Sequence, residues 1–130
     1  MVEAGRFKLD EFELYRAARE FRRNVYRLIR QLPPSERYCL DRQMRKAAVS
    51  ISNNIAEGHG RWHYQENIYF CRIARGSTDE ILDDLNVCED EDYGDQKLVA
   101  ELRADAHKLI ARINSYIAYL RKSQQGKDTR

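Results

Sequence analysis

The chain has 130 residues, enough for one compact domain and too few for two. Charged residues make up 34% and hydrophobic ones 42%, with 2 prolines and 6 glycines, a helix-rich balance that excludes a disordered chain. The net charge of +2 gives no whole-molecule case for a polyanion, but its distribution is uneven. Residues 1–60 carry 12 basic and 8 acidic side chains, 61–95 carry 3 and 10, and 96–130 carry 8 and 3. An acidic central third between basic flanks points to partners, either another copy of the chain or a polyanion. The longest uncharged run, Ala47 to Ala56, is ten residues, about half a membrane span. Met1-Val2-Glu3-Ala4-Gly5-Arg6 lacks the apolar core of a signal peptide. Cys39, Cys71 and Cys88 lack metal-type spacing and read as small hydrophobes in a reducing, cytoplasmic setting.

Breakers at Pro33-Pro34, Gly58-His59-Gly60 and Tyr93-Gly94 divide the chain into four segments with helical periodicity. They predict helices over about 10–32, 35–57, 62–92 and 95–123, with a frayed tail at 124–130. In the first, Asp10 is the expected cap with Glu13 as its capping-box partner, and Leu14, Ala18, Phe21, Val25, Leu28, Ile29 and Leu32 share one face. The second has Ser35 as expected N-cap, the line Leu40, Met44, Ala47/Ala48, Ile51, Ile55, and Gly58 as its stop. The third turns Ile68, Cys71, Ala74, Thr78, Ile81, Leu82, Leu85 and Cys88 inward. The fourth, capped by Asp95, turns Leu98, Leu102, Ala106, Leu109, Ile113, Ile117 and Leu120 inward.

No segment alternates with a period of two, so the expected fold is all-α, an up-down-up-down four-helix bundle forming one domain. Gly76 interrupts the third segment roughly opposite Lys46 and Ala47. A glycine there costs about 1 kcal/mol relative to alanine, which close approach of the second and third helices would offset; a kink is the alternative.

The chemistry concentrates on the first segment. Arg16, Arg19, Arg23, Arg27 and Arg30 are spaced 3, 4, 4 and 3 apart, within an arc of about 80° opposite the apolar face. Such a ladder suits phosphates, each reachable by bidentate hydrogen bonds, with Tyr15 and Tyr26 flanking it to stack exposed bases. Two other readings stay open: contact with a second subunit, and a plain solvated face. Asp79, Glu80, Asp83, Asp84 and Glu89 to Asp92 form an acidic cluster toward the end of the third segment, where the helix dipole disfavours acids, and could meet another subunit's arginines.

Nothing points to catalysis. His59 and His63 straddle a glycine turn without a third ligand, and Ser50, Ser52 and Ser77 have no His and Asp close in sequence. Gly58-His59-Gly60 lacks a phosphate-loop pattern. No metal, cofactor or enzymatic activity is expected.

Residues 43–80 are more specific. Gln43-Met44-Arg45-Lys46-Ala47-Ala48-Val49-Ser50-Ile51-Ser52-Asn53-Asn54-Ile55-Ala56-Glu57-Gly58, then Gly60-Arg61, Phe70 and Ile73-Ala74-Arg75-Gly76-Ser77-Thr78-Asp79-Glu80, closely resemble one family, as does the turn Leu32, Pro33, Glu36. It is the four-helix-bundle family encoded by intervening sequences in bacterial 23S rRNA genes, whose signatures read like S-I-x-x-N-I-A-E-G and A-R-G-S. The resemblance covers most of the chain, strongly over about a third. Trp62-His63-Tyr64 departs from it by bulk, and Glu89-Asp90-Glu91-Asp92 by acidity.

The resemblance implies a ring-like homopentamer without known catalysis. It also implies kinship with the accessory protein of diversity-generating retroelements, which binds nucleic acid and a reverse transcriptase. The expected function is a homo-oligomer binding structured RNA or DNA through Arg16, Arg19, Arg23, Arg27 and Arg30, with Arg45 and Lys46 as lesser contacts. The alternatives are a reverse-transcriptase accessory subunit and an oligomeric scaffold with no nucleic-acid role. For Asn54, Glu57, Gly58, Arg61, Arg75, Gly76, Ser77 and Glu80 the expected role is architectural: the first four at the second turn, the others around the close contact at Gly76.

Overall fold

The computed structural model describes residues 8–124. The expectations for Met1–Arg6 and for a frayed tail beyond Gln124 lie outside the described residues. Four helices, α1 (Glu13–Ile29), α2 (Leu40–His59), α3 (Tyr64–Asp90) and α4 (Gln96–Ser123), are joined by short connections, with 3-10 turns at Leu9–Glu11 and Pro34–Glu36. No strand occurs among the described residues. Each helix packs on the next and α4 closes back on α1, so the core lies inside a four-cornered bundle.

The apolar lines read from the sequence are the buried ones. Leu14, Ala18, Phe21, Val25, Leu28 and Ile29 of α1 meet Leu40, Met44, Ala47, Ala48, Ile51 and Ile55 of α2, with the corresponding lines of α3 and α4 completing the interior. Leu32 and Leu82 are half-buried at its margin, and Phe12, ahead of α1, joins the core. The exposed faces stay charged, as amphipathic helices require.

The helix starts differ from those expected. Asp10 does not cap α1: it lies within the 3-10 turn Leu9–Glu11, and Phe12 occupies the N-cap position without a side-chain bond. Ser35 does not cap α2 either, because Pro33-Pro34 sets up a separate 3-10 turn and α2 begins at Leu40. Glu36 supplies the missing acceptor, its Oε1 taking the Leu40 backbone N–H at 3.3 Å. Only Asp95, among the three expected caps, accepts from the helix, taking Lys97 N–H at 3.0 Å.

The close approach of α2 and α3 is at Gly58, not Gly76. A Cβ on Gly58 would stand 2.6 Å from Asn67 Oδ1 and 3.2 Å from both Asn67 O and Phe70 Cβ. Gly76 is solvent-exposed and a Cβ there would meet nothing within 4 Å. Gly76 points away from α2, whereas its neighbour Ser77 faces it; the sequence offset of one residue is about 100° of helix. No described helix is long and apolar enough to cross a membrane.

Candidate nucleic-acid interface

The solvent side of α1 presents Arg16, Arg19, Arg23 and Arg27, with Arg30 at its C-cap, all exposed. The apolar positions hold the opposite face in the core, so the arginines point outward. Their pairing is loose. Arg19 is 4.0 Å from Asp10 and Arg23 is 3.8 Å from Glu20, with the two guanidinium side chains 51% and 68% exposed. Arg27 donates to Asn24 Oδ1 at 3.4 Å. Arg16 and Arg30 have no ion pair among the described residues. Exposed pairs of this length are worth about 0–1 kcal/mol, so they hold the guanidiniums only weakly. Arg22, between the stripe residues in sequence, turns the other way and donates to Ser52 Oγ of α2 at 2.8 Å.

Arg16, Arg19 and Arg23 line a shallow depression of about 600 Å³ whose far wall is Arg112 of α4; Asp10, Glu13 and Glu20 also border it. Nothing in the sequence marks Arg112 as a site residue. It is remote in the chain, and its one signal is a position off the apolar line of the fourth segment.

The lesser candidates divide. Arg45 is held by Asp41 (Nε to Oδ1 2.7 Å) and lies 5.0 Å over the Tyr26 ring. The hydrogen bond to Asp41 leads the causes that raise its pKa, so its charge is already compensated. Lys46 is exposed and lines, with Ser50, Asn53 and Asn54, an open groove of about 470 Å³ between α1 and α2. Tyr26 is not an open stacking platform, since Arg45 occupies a face of its ring, and Tyr15 is half-buried against the core.

The acidic cluster is not uniformly a surface. Asp79, Glu80, Asp83 and Glu89 to Asp92 are exposed, and Glu89 is 3.5 Å from Arg103. Asp84 is fully buried, because its helix position faces α2. Its Oδ1 accepts from Gln43 Nε2 at 2.6 Å and its Oδ2 has no partner. Burial first, then Asp83 and Glu80 nearby, push its carboxyl up to about 6 against the opposing bond from Gln43. His59 stacks on Phe12 (centroids 4.9 Å apart) and His63 is the N-cap residue of α3.

Residues 10–115 match the family described as 23S rRNA-intervening sequence protein. The chain belongs to this family. A crystal structure of a protein of unknown function from the S23 ribosomal protein family of Bacteroides thetaiotaomicron has the same fold. Its TM-score is 0.74 at 18% identity, over 80% of this chain and 97% of that one. No curated protein matches.

Within this member, the signature residues make local and interhelical contacts. Asn54 Nδ2 donates to Ser50 O (2.8 Å) and Oγ (3.0 Å), and Ser50 shares a 2.8 Å hydrogen bond with Ser77 of α3. Glu57 pairs with Arg61 at 2.5 Å, and Arg61 lies over the Phe70 ring. Asn54, Glu57 and Arg61, whose place at the second turn suits them to satisfy helix-end backbone groups, make these contacts instead. Arg75 reaches to α4 and donates to Asn114 Oδ1 at 2.6 Å, while Glu80 is exposed. Neither flanks a contact at Gly76, because no contact exists there.

Proposed function

We propose that this protein is a non-enzymatic homo-oligomer that binds structured nucleic acid through the arginine face of α1. The observation that carries the reading is the ladder Arg16, Arg19, Arg23, Arg27 and Arg30: five exposed guanidiniums in weak or no ion pairs, with Arg112 widening the basic surface. The chemistry suits phosphate, which guanidinium binds bidentately. The family's description by a 23S rRNA intervening sequence makes structured RNA the first target to try. Contacts are to the backbone, so sequence preference is low and salt dependence steep.

The test is fluorescence anisotropy with a structured RNA at several salt concentrations, comparing wild type with Arg19/Arg23/Arg27→Glu at equal oligomeric state. Engagement of four or five phosphates gives a log–log salt slope of about −3.5 to −4.5. The variant should lose binding. Absence of wild-type binding at low salt would reassign the arginines to protein contacts.

A further inference from the structure

A second basic site lies between the start of α3 and the end of α4. Tyr64, Gln65, Ile68 and Arg72 of α3 face Arg121 and Gln124 of α4 across a cleft of about 460 Å³, within the size range of small-ligand sites. The spacing 64, 65, 68, 72 puts the α3 residues on one helix face. Among the described residues no carboxylate lines the cleft, whereas three border the depression on α1. Arg72 and Arg121 are exposed and have no ion pair among the described residues. Two guanidiniums lining one cleft make it electropositive and favour an anion there.

The remaining walls define the rest of the ligand. Tyr64 is half-buried and packed against the core, so its ring is held in place, and Ile68 is 4% exposed as an apolar wall. Gln65 and Gln124 offer both donors and acceptors. A free phosphate would use the arginines but not the ring and aliphatic wall. A nucleotide uses all of them: phosphate on Arg72 and Arg121, base on Tyr64 and Ile68, base edge at the glutamines. A paired base inside a duplex cannot offer its face to a side chain, whereas an unpaired one can.

We infer that the cleft formed by Tyr64, Arg72 and Arg121 binds an unpaired terminal nucleotide of a nucleic-acid strand, phosphate and base together. The inference rests on the nucleic-acid reading and adds a site to it. The antiparallel order places the start of α1, with Arg16 and Arg19, at the same end of the bundle. A duplex on the α1 face can therefore direct its frayed end around α4 into the cleft. The site also gives a role to Tyr64, part of the bulky Trp62-His63-Tyr64 sequence that the α1 face leaves unused.

The test uses the full-length protein with two labelled probes, a 5′-phosphorylated ten-nucleotide oligoadenylate and a blunt RNA duplex. Arg72→Gln/Arg121→Gln should weaken oligoadenylate binding at least tenfold and Tyr64→Ala at least fivefold, with Tyr64→Phe close to wild type. All three should leave the blunt duplex within twofold, with helical content unchanged; the melting temperature should hold for the arginine variant and Tyr64→Phe and fall for Tyr64→Ala, which loses the ring's packing on the core. Arg19/Arg23/Arg27→Glu should do the reverse. Oligoadenylate binding that is insensitive to the cleft variants would overturn the inference while leaving the α1 reading intact. So would a Tyr64→Phe loss equal to that of Tyr64→Ala, or equal losses on both probes. Oligoadenylate bound through the cleft with no duplex binding would sink the α1 reading instead and keep the inference. Wild type that binds neither probe removes both.

Discussion

Asp84 sits without solvent exposure between α2 and α3, and one of its two carboxylate oxygens has no partner. Its carboxyl titrates near 6 in the fold, above the ordinary carboxylate range, chiefly because burial penalises the charge. The folded state therefore holds the proton more tightly than the unfolded chain. Stability falls as pH rises from about 4 to about 6 and the penalty stays in place above that, on the order of 2–3 kcal/mol. Asp84→Asn removes the charge and keeps an acceptor for Gln43. Urea unfolding should show the variant more stable by about 1–2 kcal/mol at pH 8 and equal to wild type near pH 4. A wild type more stable at pH 8 would mean that the carboxylate finds a cation.

The glycines give a paired contrast at the same scale. Gly58→Ala drives a Cβ into Asn67 and Phe70 and should cost about 1–3 kcal/mol. Gly76→Ala meets open space inside a helix and should gain up to about 1 kcal/mol. Thermal melts of the two variants decide it, and a Gly76→Ala loss would reveal something seated on the outer face of α3. The thiols separate as well. Burial pushes Cys71 up to about 12 and Cys88 up to about 11, whereas Cys39 is exposed. A thiol reagent at pH 8 should label one cysteine in the native protein and three in denaturant.

At the level of elements, the turn between α3 and α4 ties the fold together. Asp95 caps α4, its own N–H donates to Gln31 Oε1 at 2.7 Å, and Gly94 takes a φ of +72° where a Cβ would stand 2.6 Å from Leu28 Cδ1. The end of α1 and the start of α4 are locked through one turn, so Asp95→Ala should cost about 1 kcal/mol by equilibrium unfolding. The Asp95 cap is legible in the sequence because a cap bonds two residues away. The apolar lines are legible for a similar reason, since a 3.6-residue period needs no knowledge of neighbours. What could not be read is every choice made by another helix. Ser52, Asn67, Ser77 and Asp84 are buried because Arg22, Tyr116, Ser50 and Gln43 reach them from elsewhere in the chain. Gly58 and Gly76 exchange roles by the same logic: the register between α2 and α3 decides which glycine is crowded. For the candidate site, the five arginines of α1 were visible as a periodic stripe, while Arg112, Arg72 and Arg121 required the folded arrangement.

For the whole molecule, the basic face of α1 has two competing partners, phosphate and the acidic face of another copy. The contact pattern places α1 and α3 at diagonal corners of the bundle, so Arg16 to Arg30 and Asp79, Glu80 and Asp83 face opposite ways. Copies stacked face to face through these charges would form a head-to-tail assembly. Its stability would fall with salt, since exposed charges are screened within about 8–10 Å at physiological ionic strength. One set of guanidiniums cannot serve both partners at once. The nucleic-acid reading therefore requires any assembly to be held by other surfaces. Light scattering of Arg19/Arg23/Arg27→Glu at 0.1 M and 0.5 M salt should give the same mass as wild type, with RNA binding lost. If the variant falls apart and Asp79/Glu80/Asp83→Lys in the same chain restores the mass, the arginines belong to the subunit contact. RNA should then compete with assembly instead of decorating it, and adding RNA to wild type would lower the mass of the protein component.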